Sequence, residues 1–155
     1  MAPTWNEAAR GTYAGFTLAH TRGHFVRALL EGSAYALRDI ITQMQVAGIE
    51  LRELRVMGGG AKSQLWNQVK ADVTGLQVHV PEITETTALG AAFLALVGIG
   101  AYATLTEVSE QIVKIREQIA PDPATASMYT ESYERYRQTY FALLPMFEDA
   151  AKHKV

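Results

Sequence analysis

The chain has 155 residues, of which 48% are hydrophobic and 19% charged, and its formal net charge at pH 7 is −2. This composition is typical of a soluble globular protein with one core and excludes a disordered chain. The near-neutral charge gives no electrostatic reason to expect nucleic acid as a partner, and no apolar run reaches the roughly 18 residues of a membrane span. The absence of cysteine excludes disulfides and thiolate metal sites and favours a cytoplasmic location. We therefore predict a single domain over residues 1–155, with neither nucleic acid nor membrane as a partner.

The first part of the chain predicts an irregular segment followed by one long helix. Residues 1–19 are rich in Gly and Thr and show neither a helical nor a strand period. Over residues 21–47, apolar side chains recur every three or four positions, which indicates an amphipathic helix. Arg27 and Glu31 are spaced to pair across one turn of this helix, which we interpret as a solvated ion pair.

Two histidines lie at the start of this helix. His20 and His24 are four residues apart, a spacing at which two imidazoles on one helix face can hold a metal ion. No further ligand in a fixed arrangement is evident, so the sequence favours capping or packing roles for both rings.

The middle of the chain contains a strand pattern, a glycine turn and a helix pattern in immediate succession. Residues 54–57 form a short apolar run, and Gly58, Gly59 and Gly60 follow it directly. Three glycines remove every Cβ from the turn, so backbone N–H groups can approach a ligand closely. A helix over residues 63–74 then points its free N–H groups and its positive dipole end at the same place. The pattern predicts a nucleotide site. The alternative is a turn without a ligand, because strand–glycine–helix turns of this kind recur in α/β folds.

Two further elements complete an α/β order. Residues 77–80 form a short strand pattern that Pro81 ends. Residues 84–97 are apolar and almost uncharged, which predicts a helix that is buried on most sides. In the helix after the glycine turn, Ser63 is the candidate N-cap, and Trp66 is more typical of a core residue than of a ligand platform.

The last third predicts two helices separated by a rigid break. A modest helical pattern covers residues 106–114, and Pro121-Asp122-Pro123 interrupts the chain. A terminal docking helix is predicted over residues 126–151. Its apolar face is a stripe at helical spacing, typical of a core or interface, made of Tyr129, Tyr133, Tyr136, Tyr140, Leu143 and Leu144.

Three motifs stand out when the chain is taken as a whole. They are residues 15–22 followed by 27–38 (RALLEGSAYALR), residues 57–66 (MGGGAKSQLW), and Pro81-Glu82 followed by residues 87–92 (TALGAA). Together they resemble the C-terminal part of the FGGY family of carbohydrate kinases. The resemblance implies an α/β fold that is part of an actin-like, ribonuclease-H-like ATPase domain, namely its C-terminal lobe, helix-rich with a short mixed sheet.

The same resemblance implies an activity and a set of site residues. The reaction is transfer of the ATP γ-phosphoryl group to a sugar hydroxyl, with Mg²⁺ bridging the phosphates, so the implied partners of the full-length protein are ATP or ADP and a small-molecule sugar. Gly58, Gly59 and Gly60 would meet the nucleotide with their backbone. Lys62 would favour the phosphates or simply be exposed, and Gln64 stands where related kinases contact the adenine side. No aspartate matches the family's catalytic or phosphate-loop motifs, so no catalytic or metal-ligating residue is assigned.

Three classes of function remain open from the sequence. They are a segment of an ATP-dependent sugar kinase, a non-catalytic actin-like module for nucleotide binding or assembly, and a helical partner without a ligand. A whole kinase of this family has roughly three domains of this size. We therefore expect this chain alone to be inactive, with exposed apolar surface and a tendency to form homo-oligomers.

Overall fold

The computed structural model describes residues 6–153 of the chain. Helices and strands there follow the order α1 (Arg22–Val46), β1 (Glu53–Arg55), α2 (Gln64–Thr74), β2 (Gln77–Pro81), α3 (Thr86–Gly98), α4 (Leu105–Ile112), β3 (Ile115–Ile119) and α5 (Ala126–Lys152). Two short 3₁₀ segments, Gly59–Lys62 and Pro123–Thr125, complete this order. The predicted helix-rich α/β class with a short mixed sheet is confirmed. None of the helices in the described range is long and apolar enough to cross a lipid bilayer.

The chain divides into two compact units. The first comprises Met1–Leu51, Asp72–Gly75 and Asp122–Val155, and the second comprises Arg52–Ala71 and Leu76–Pro121. Residues 6–20 contain no helix or strand, as the sequence predicts, whereas residues 1–5 of that predicted loop lie outside the described range. A single domain over residues 1–155 stays a prediction, as does a docking role for the terminal helix.

The start of α1, in the first unit, confirms the capping role of the histidines. Thr21 and His24 form a reciprocal capping box, in which the Thr21 N–H donates to His24 Nδ1 over 3.0 Å. One turn earlier, the Thr17 N–H donates to His20 Nδ1 over 3.0 Å. These bonds satisfy N–H groups that have no partner within the helix itself.

The tyrosine stripe of α5 packs against α1, as its spacing indicates. Tyr129 and Tyr133 are only 1% and 4% exposed. The Tyr35 ring of α1 lies 6.5 Å from the Tyr129 ring and 5.5 Å from the Tyr136 ring, measured between centroids. Such tilted aromatic pairs add to the free energy of burial, so they stabilise the contact between the two longest helices of the unit.

The predicted Arg27–Glu31 pair forms, but it is not merely solvated. Arg27 Nε lies 2.7 Å from Glu31 Oε1. The buried Tyr129 hydroxyl accepts a hydrogen bond from Arg27 Nη2 and donates one to Glu31 Oε1 over 3.3 Å. The pair therefore links α1 to α5, which sequence spacing within one helix could not show.

The second unit is built on a three-stranded mixed sheet with the order β1-β2-β3. β1 and β2 are parallel, with Glu53 opposite Gln77, and β2 and β3 are antiparallel, with Val78 opposite Ile119. Because side chains alternate along a strand, β2 turns Val78 and Val80 to one face. They join the core of this unit, whose buried members are Val56, Ala61, Ala71, Val78, Val80 and Ile119.

Strand β3 is the element that the sequence does not predict. The predicted helix over residues 106–114 ends earlier, at Ile112, and Ile115–Ile119 pairs with β2 instead. This strand carries charged Arg116 and Glu117 and only two apolar residues, so its own period is weak. Pairing with β2 and burial of Ile119, 9% exposed, decide its conformation.

The burial predicted for the apolar helix is wrong for this chain. None of the residues of α3 is buried, and Leu94 is 64% exposed. The helix packs against α4, but an eight-residue helix cannot surround one of 13 residues. An uncharged composition shows that a helix suits an apolar environment, but it does not show whether the same chain supplies that environment.

Candidate nucleotide-binding site

The glycine turn begins at Gly58, three residues after the end of β1, and is held by backbone hydrogen bonds. Gly58 has φ +70°, a left-handed conformation that favours glycine. Its N–H donates to the Thr84 carbonyl over 2.9 Å, and its own carbonyl accepts from the Ala61 N–H over 3.1 Å. Thr84 lies just before α3 and is 8% exposed. The turn is therefore fixed between β1 and the segment that leads into α3.

Two of the three glycines face open space. A Cβ atom built on Gly58 or Gly59 would meet no heavy atom within 4 Å. Within the described residues, the N–H groups of Gly59 and Gly60 donate to no backbone carbonyl. An unpaired N–H group at the first turn of a helix is a ready donor for an anionic ligand.

Gly60 differs because a side chain of the same unit covers it. A Cβ built there would lie 2.8 Å from Trp66 Cζ3 and 3.3 Å from Trp66 Cε3. The Trp66 ring thus lies over the turn and is not part of the buried core cluster, which corrects its assignment as a core residue. On the same helix Val69 and Val73 are buried, whereas Leu65 is 53% exposed.

The two other predicted site residues lie next to the turn with exposed side chains. Lys62 is the last residue of the 3₁₀ segment, and Gln64 is the first residue of α2. Both are exposed, so they are accessible to a ligand at the turn. Their roles at the phosphates and the adenine stay predictions.

The first turns of α2 reach back to the glycine turn through side chains that sequence reasoning did not single out. Asn67 is 1% exposed, and its Nδ2 donates to the Ala61 carbonyl over 2.8 Å. Lys70 Nζ donates to Asn67 Oδ1 over 3.3 Å and lies 4.3 Å from the centre of the Trp66 ring. Partial burial lowers the pKa of Lys70. Ser63 caps the helix by accepting from the Trp66 N–H over 3.3 Å, as predicted.

A second polar cluster lies on the sheet beside the turn. Glu53 Oε1 accepts from Arg55 Nε over 2.7 Å, and Glu53 Oε2 lies 3.0 Å from His79 Nδ1. The hydrogen bond from Arg55, together with His79, lowers the pKa of the Glu53 carboxyl. Over residues 6–153, no group of three His, Asp or Glu side chains is arranged to hold a metal ion.

Comparison with known proteins identifies the family. Residues 1–99 match the model of the FGGY family of carbohydrate kinases, C-terminal domain, and the chain therefore belongs to this family. Members of the family are ATP-dependent phosphotransferases that act on carbohydrates. The resemblance inferred from the three sequence motifs is confirmed, as is the actin-like ATPase fold that it implies.

Individual relatives bear different substrate names. The chain is 43% identical over 113 residues to the glycerol kinase of Vibrio atlanticus. This alignment covers 72% of this chain and 22% of that protein. The structure of xylulose kinase from Rhodospirillum rubrum matches with a TM-score of 0.79 and 35% identity, over 90% of this chain and 28% of that one. The structure of Plasmodium falciparum glycerol kinase with ADP matches with a TM-score of 0.74 and 30% identity, over 90% and 28% of the two chains. The chain thus spans about a quarter of the length of these relatives.

Proposed function

We propose that this chain is the nucleotide-holding part of an ATP-dependent carbohydrate kinase and that ATP or ADP lies against the turn at Gly58 and Gly59. The observation that carries the proposal is the open backbone there, where no side chain occupies the space above either glycine. The ADP in the glycerol kinase structure supports the choice of an adenine nucleotide. The exposed Lys62 and Gln64 flank the turn and would meet the phosphates and the adenine side.

Phosphoryl transfer needs little from this part of a kinase beyond positioning and charge stabilisation. The turn would orient the nucleotide by backbone hydrogen bonds, and Lys62 would add positive charge near the phosphates. Mg²⁺, which neutralises charge on the transferred phosphoryl group, would arrive with the nucleotide. No residue of this chain is assigned to the metal ion or to proton transfer, so we expect the chain alone to show no sugar-dependent ATP turnover.

Titration of the purified chain with ADP and Mg²⁺ by calorimetry, beside GDP, tests the nucleotide site. We expect saturable binding that favours ADP. The Gly59→Ala variant would place a methyl group where the ligand approaches and should weaken ADP binding by about tenfold or more. Gly98→Ala is the matched control, because its added Cβ also meets open space but lies at the end of α3. Failure of the unmodified chain to bind ADP, or equal affinity of Gly59→Ala and Gly98→Ala, would contradict the proposal.

For the whole protein, we propose that the sugar is D-xylulose and the product D-xylulose 5-phosphate. The structure of xylulose kinase from R. rubrum supports this choice, because it matches with a TM-score of 0.79 and 35% identity, slightly above the 0.74 and 30% of the P. falciparum glycerol kinase structure over the same 90% of this chain. Assay of the full-length protein with xylulose and with glycerol is the test. A higher kcat/KM for glycerol would refute the choice of xylulose and leave the nucleotide site unaffected.

Two further properties are part of the proposal. The exposed apolar helix α3 favours self-association of the chain, in agreement with the predicted homo-oligomer. A cytoplasmic location agrees with the absence of cysteine and with a metabolic kinase that draws on ATP.

A further inference from the structure

The three glycines of the turn differ in their surroundings: the Trp66 side chain packs against Gly60, whereas Gly58 and Gly59 face open space. Real Cβ atoms essentially never approach the heavy atoms of other, non-adjacent residues to 2.8 Å, the distance at which a Cβ on Gly60 would meet Trp66 Cζ3. The Trp66 ring therefore occupies the space that any other residue at position 60 would need. Gly60 is explained by a contact within the chain, and the ligand cannot approach it from the side that the ring covers.

The neighbouring peptide unit is held by the same helix. Asn67, one residue after Trp66, is almost fully buried and donates from Nδ2 to the Ala61 carbonyl over 2.8 Å. A buried carbonyl without such a donor would cost free energy. Trp66 and Asn67 therefore fix Gly60 and Ala61, the two residues that follow the open glycines.

Lys70 connects these two side chains. Its Nζ lies 4.3 Å from the centre of the Trp66 ring and 3.3 Å from Asn67 Oδ1. A cation over an indole ring is attracted by the electron-rich face, and the hydrogen bond orients the Asn67 amide so that its NH₂ group points at Ala61. The three residues form one unit, which we call the α2 brace (Trp66, Asn67 and Lys70).

We propose that the α2 brace positions the glycine turn for nucleotide binding. Position 60 requires glycine because the Trp66 ring fills the space of a side chain there. The nucleotide therefore approaches only from the side of Gly58 and Gly59. The inference rests on the proposed nucleotide site. Trp66 and Asn67 act as positioning residues: they hold Gly60 and Ala61 in place, and through them the open glycines that precede, without touching the ligand.

A double-mutant cycle tests the role of Gly60. The dissociation constant for ADP is measured for the unmodified chain, Gly60→Ala, Trp66→Leu and the double variant, and urea denaturation reports the folding of each. We expect Gly60→Ala to weaken ADP binding by about tenfold in the presence of the indole ring, because the new methyl group displaces the turn. With Leu at position 66 the methyl group has room, so the same change should weaken binding by no more than about twofold. An equal effect of Gly60→Ala in both backgrounds would show that the ligand itself needs Gly60 and would overturn the inference.

Two more variants separate positioning from general stability. Trp66→Phe keeps an aromatic ring over Gly60 and should bind ADP within about threefold of the unmodified chain, whereas Trp66→Leu should lose about tenfold. Leu65→Ala changes the adjacent, exposed residue and should leave the dissociation constant unchanged. If Trp66→Leu binds ADP as tightly as Leu65→Ala does, the brace has no positioning role. Absence of ADP binding by the unmodified chain would instead refute the proposed function.

Discussion

Asp39 in α1 is a buried carboxylate with an incomplete set of partners. It is 4% exposed, and its Oδ1 accepts from the Tyr133 hydroxyl over 2.6 Å. Arg137 Nε lies 3.7 Å from the same oxygen, beyond hydrogen-bond distance. Within the described residues, Asp39 Oδ2 has no hydrogen-bond partner. Because a buried charge is tolerated only when it is paired, the Tyr133 hydroxyl is the contact on which Asp39 depends most.

Removal of that hydroxyl should destabilise the first unit. We expect Tyr133→Phe to lower the free energy of unfolding by about 1–3 kcal/mol, since it leaves both carboxylate oxygens of Asp39 without a hydrogen bond. Urea denaturation followed by circular dichroism measures the change. Tyr13→Phe is the control: Tyr13 is 40% exposed, so its change should stay within about 0.5 kcal/mol. Equal denaturation midpoints for the two variants would contradict this account of Asp39.

At the scale of single residues, the sequence does not predict which polar side chains of a helix are buried. Asp39 and Asn67 lie within patterns that predict helices correctly, but nothing in their spacing distinguishes a buried polar side chain from a solvated one. Their burial depends on residues distant in sequence, such as Tyr133, or on a backbone carbonyl such as that of Ala61. The glycine triplet was evident, yet only the position of the Trp66 ring separates Gly60 from Gly58 and Gly59.

At the scale of elements, the contact between α1 and α5 has a measurable pH dependence. Burial raises the pKa of Tyr136 to about 12, with Asp39 as a further cause. Burial likewise raises the pKa of Tyr35 to about 12. In an unfolded chain a tyrosine titrates near pH 10. The folded state therefore holds both phenols protonated over a range in which the unfolded chain ionises them.

The sign of the effect follows from linkage. Stability from these raised pKa values is fully present below about pH 10 and is lost as the pH rises from about 10 to about 12. Tyr136→Phe removes one titrating group and, with it, a part of this loss. We expect the urea midpoint of the variant to fall less than that of the unmodified chain between about pH 9 and pH 11.5. A decline equally steep in both chains would show that Tyr136 does not titrate with a raised pKa.

The elements themselves differ in how well the sequence specifies them. α1 was predicted within one residue at each end, because 25 residues of helical period leave little ambiguity. α2 was predicted because a glycine turn with a capping serine precedes it and Gly75 follows it. β3 was missed since five residues with a charged centre carry too short a pattern, and an edge strand gains its conformation from the strand beside it.

At the scale of the whole molecule, α3 is an apolar helix without a buried residue. The helix contains no charged residue, and its Leu94 is exposed. Ile99, the residue after the helix, is exposed as well. Large apolar surface of this kind is typical of an interface. The relatives that contain a matching segment are about three times as long as this chain.

Sedimentation velocity over a range of concentrations measures the expected self-association. We predict that the unmodified chain forms dimers or larger species and that Leu94→Glu shifts it toward monomer, because a carboxylate on α3 would be buried in the contact at a cost of several kcal/mol. Leu18→Glu adds the same charge at an exposed position outside α3 and should leave the distribution unchanged. A monomer at all concentrations, or an equal shift by both variants, would contradict a role for α3.

The sequence by itself determined the family, the α/β class and the place of the glycine turn. Those properties are set by local features: the period of apolar residues, glycine stops and short motifs whose spacing survives without any tertiary contact. Only the tertiary structure decided that β3 is a strand, that α3 is exposed and that Trp66 closes one side of the turn at Gly60. Each of these properties depends on the residues that surround a position in space. Those residues are distant in sequence or lie on the next turn of a helix, so a local sequence pattern does not specify burial or strand pairing.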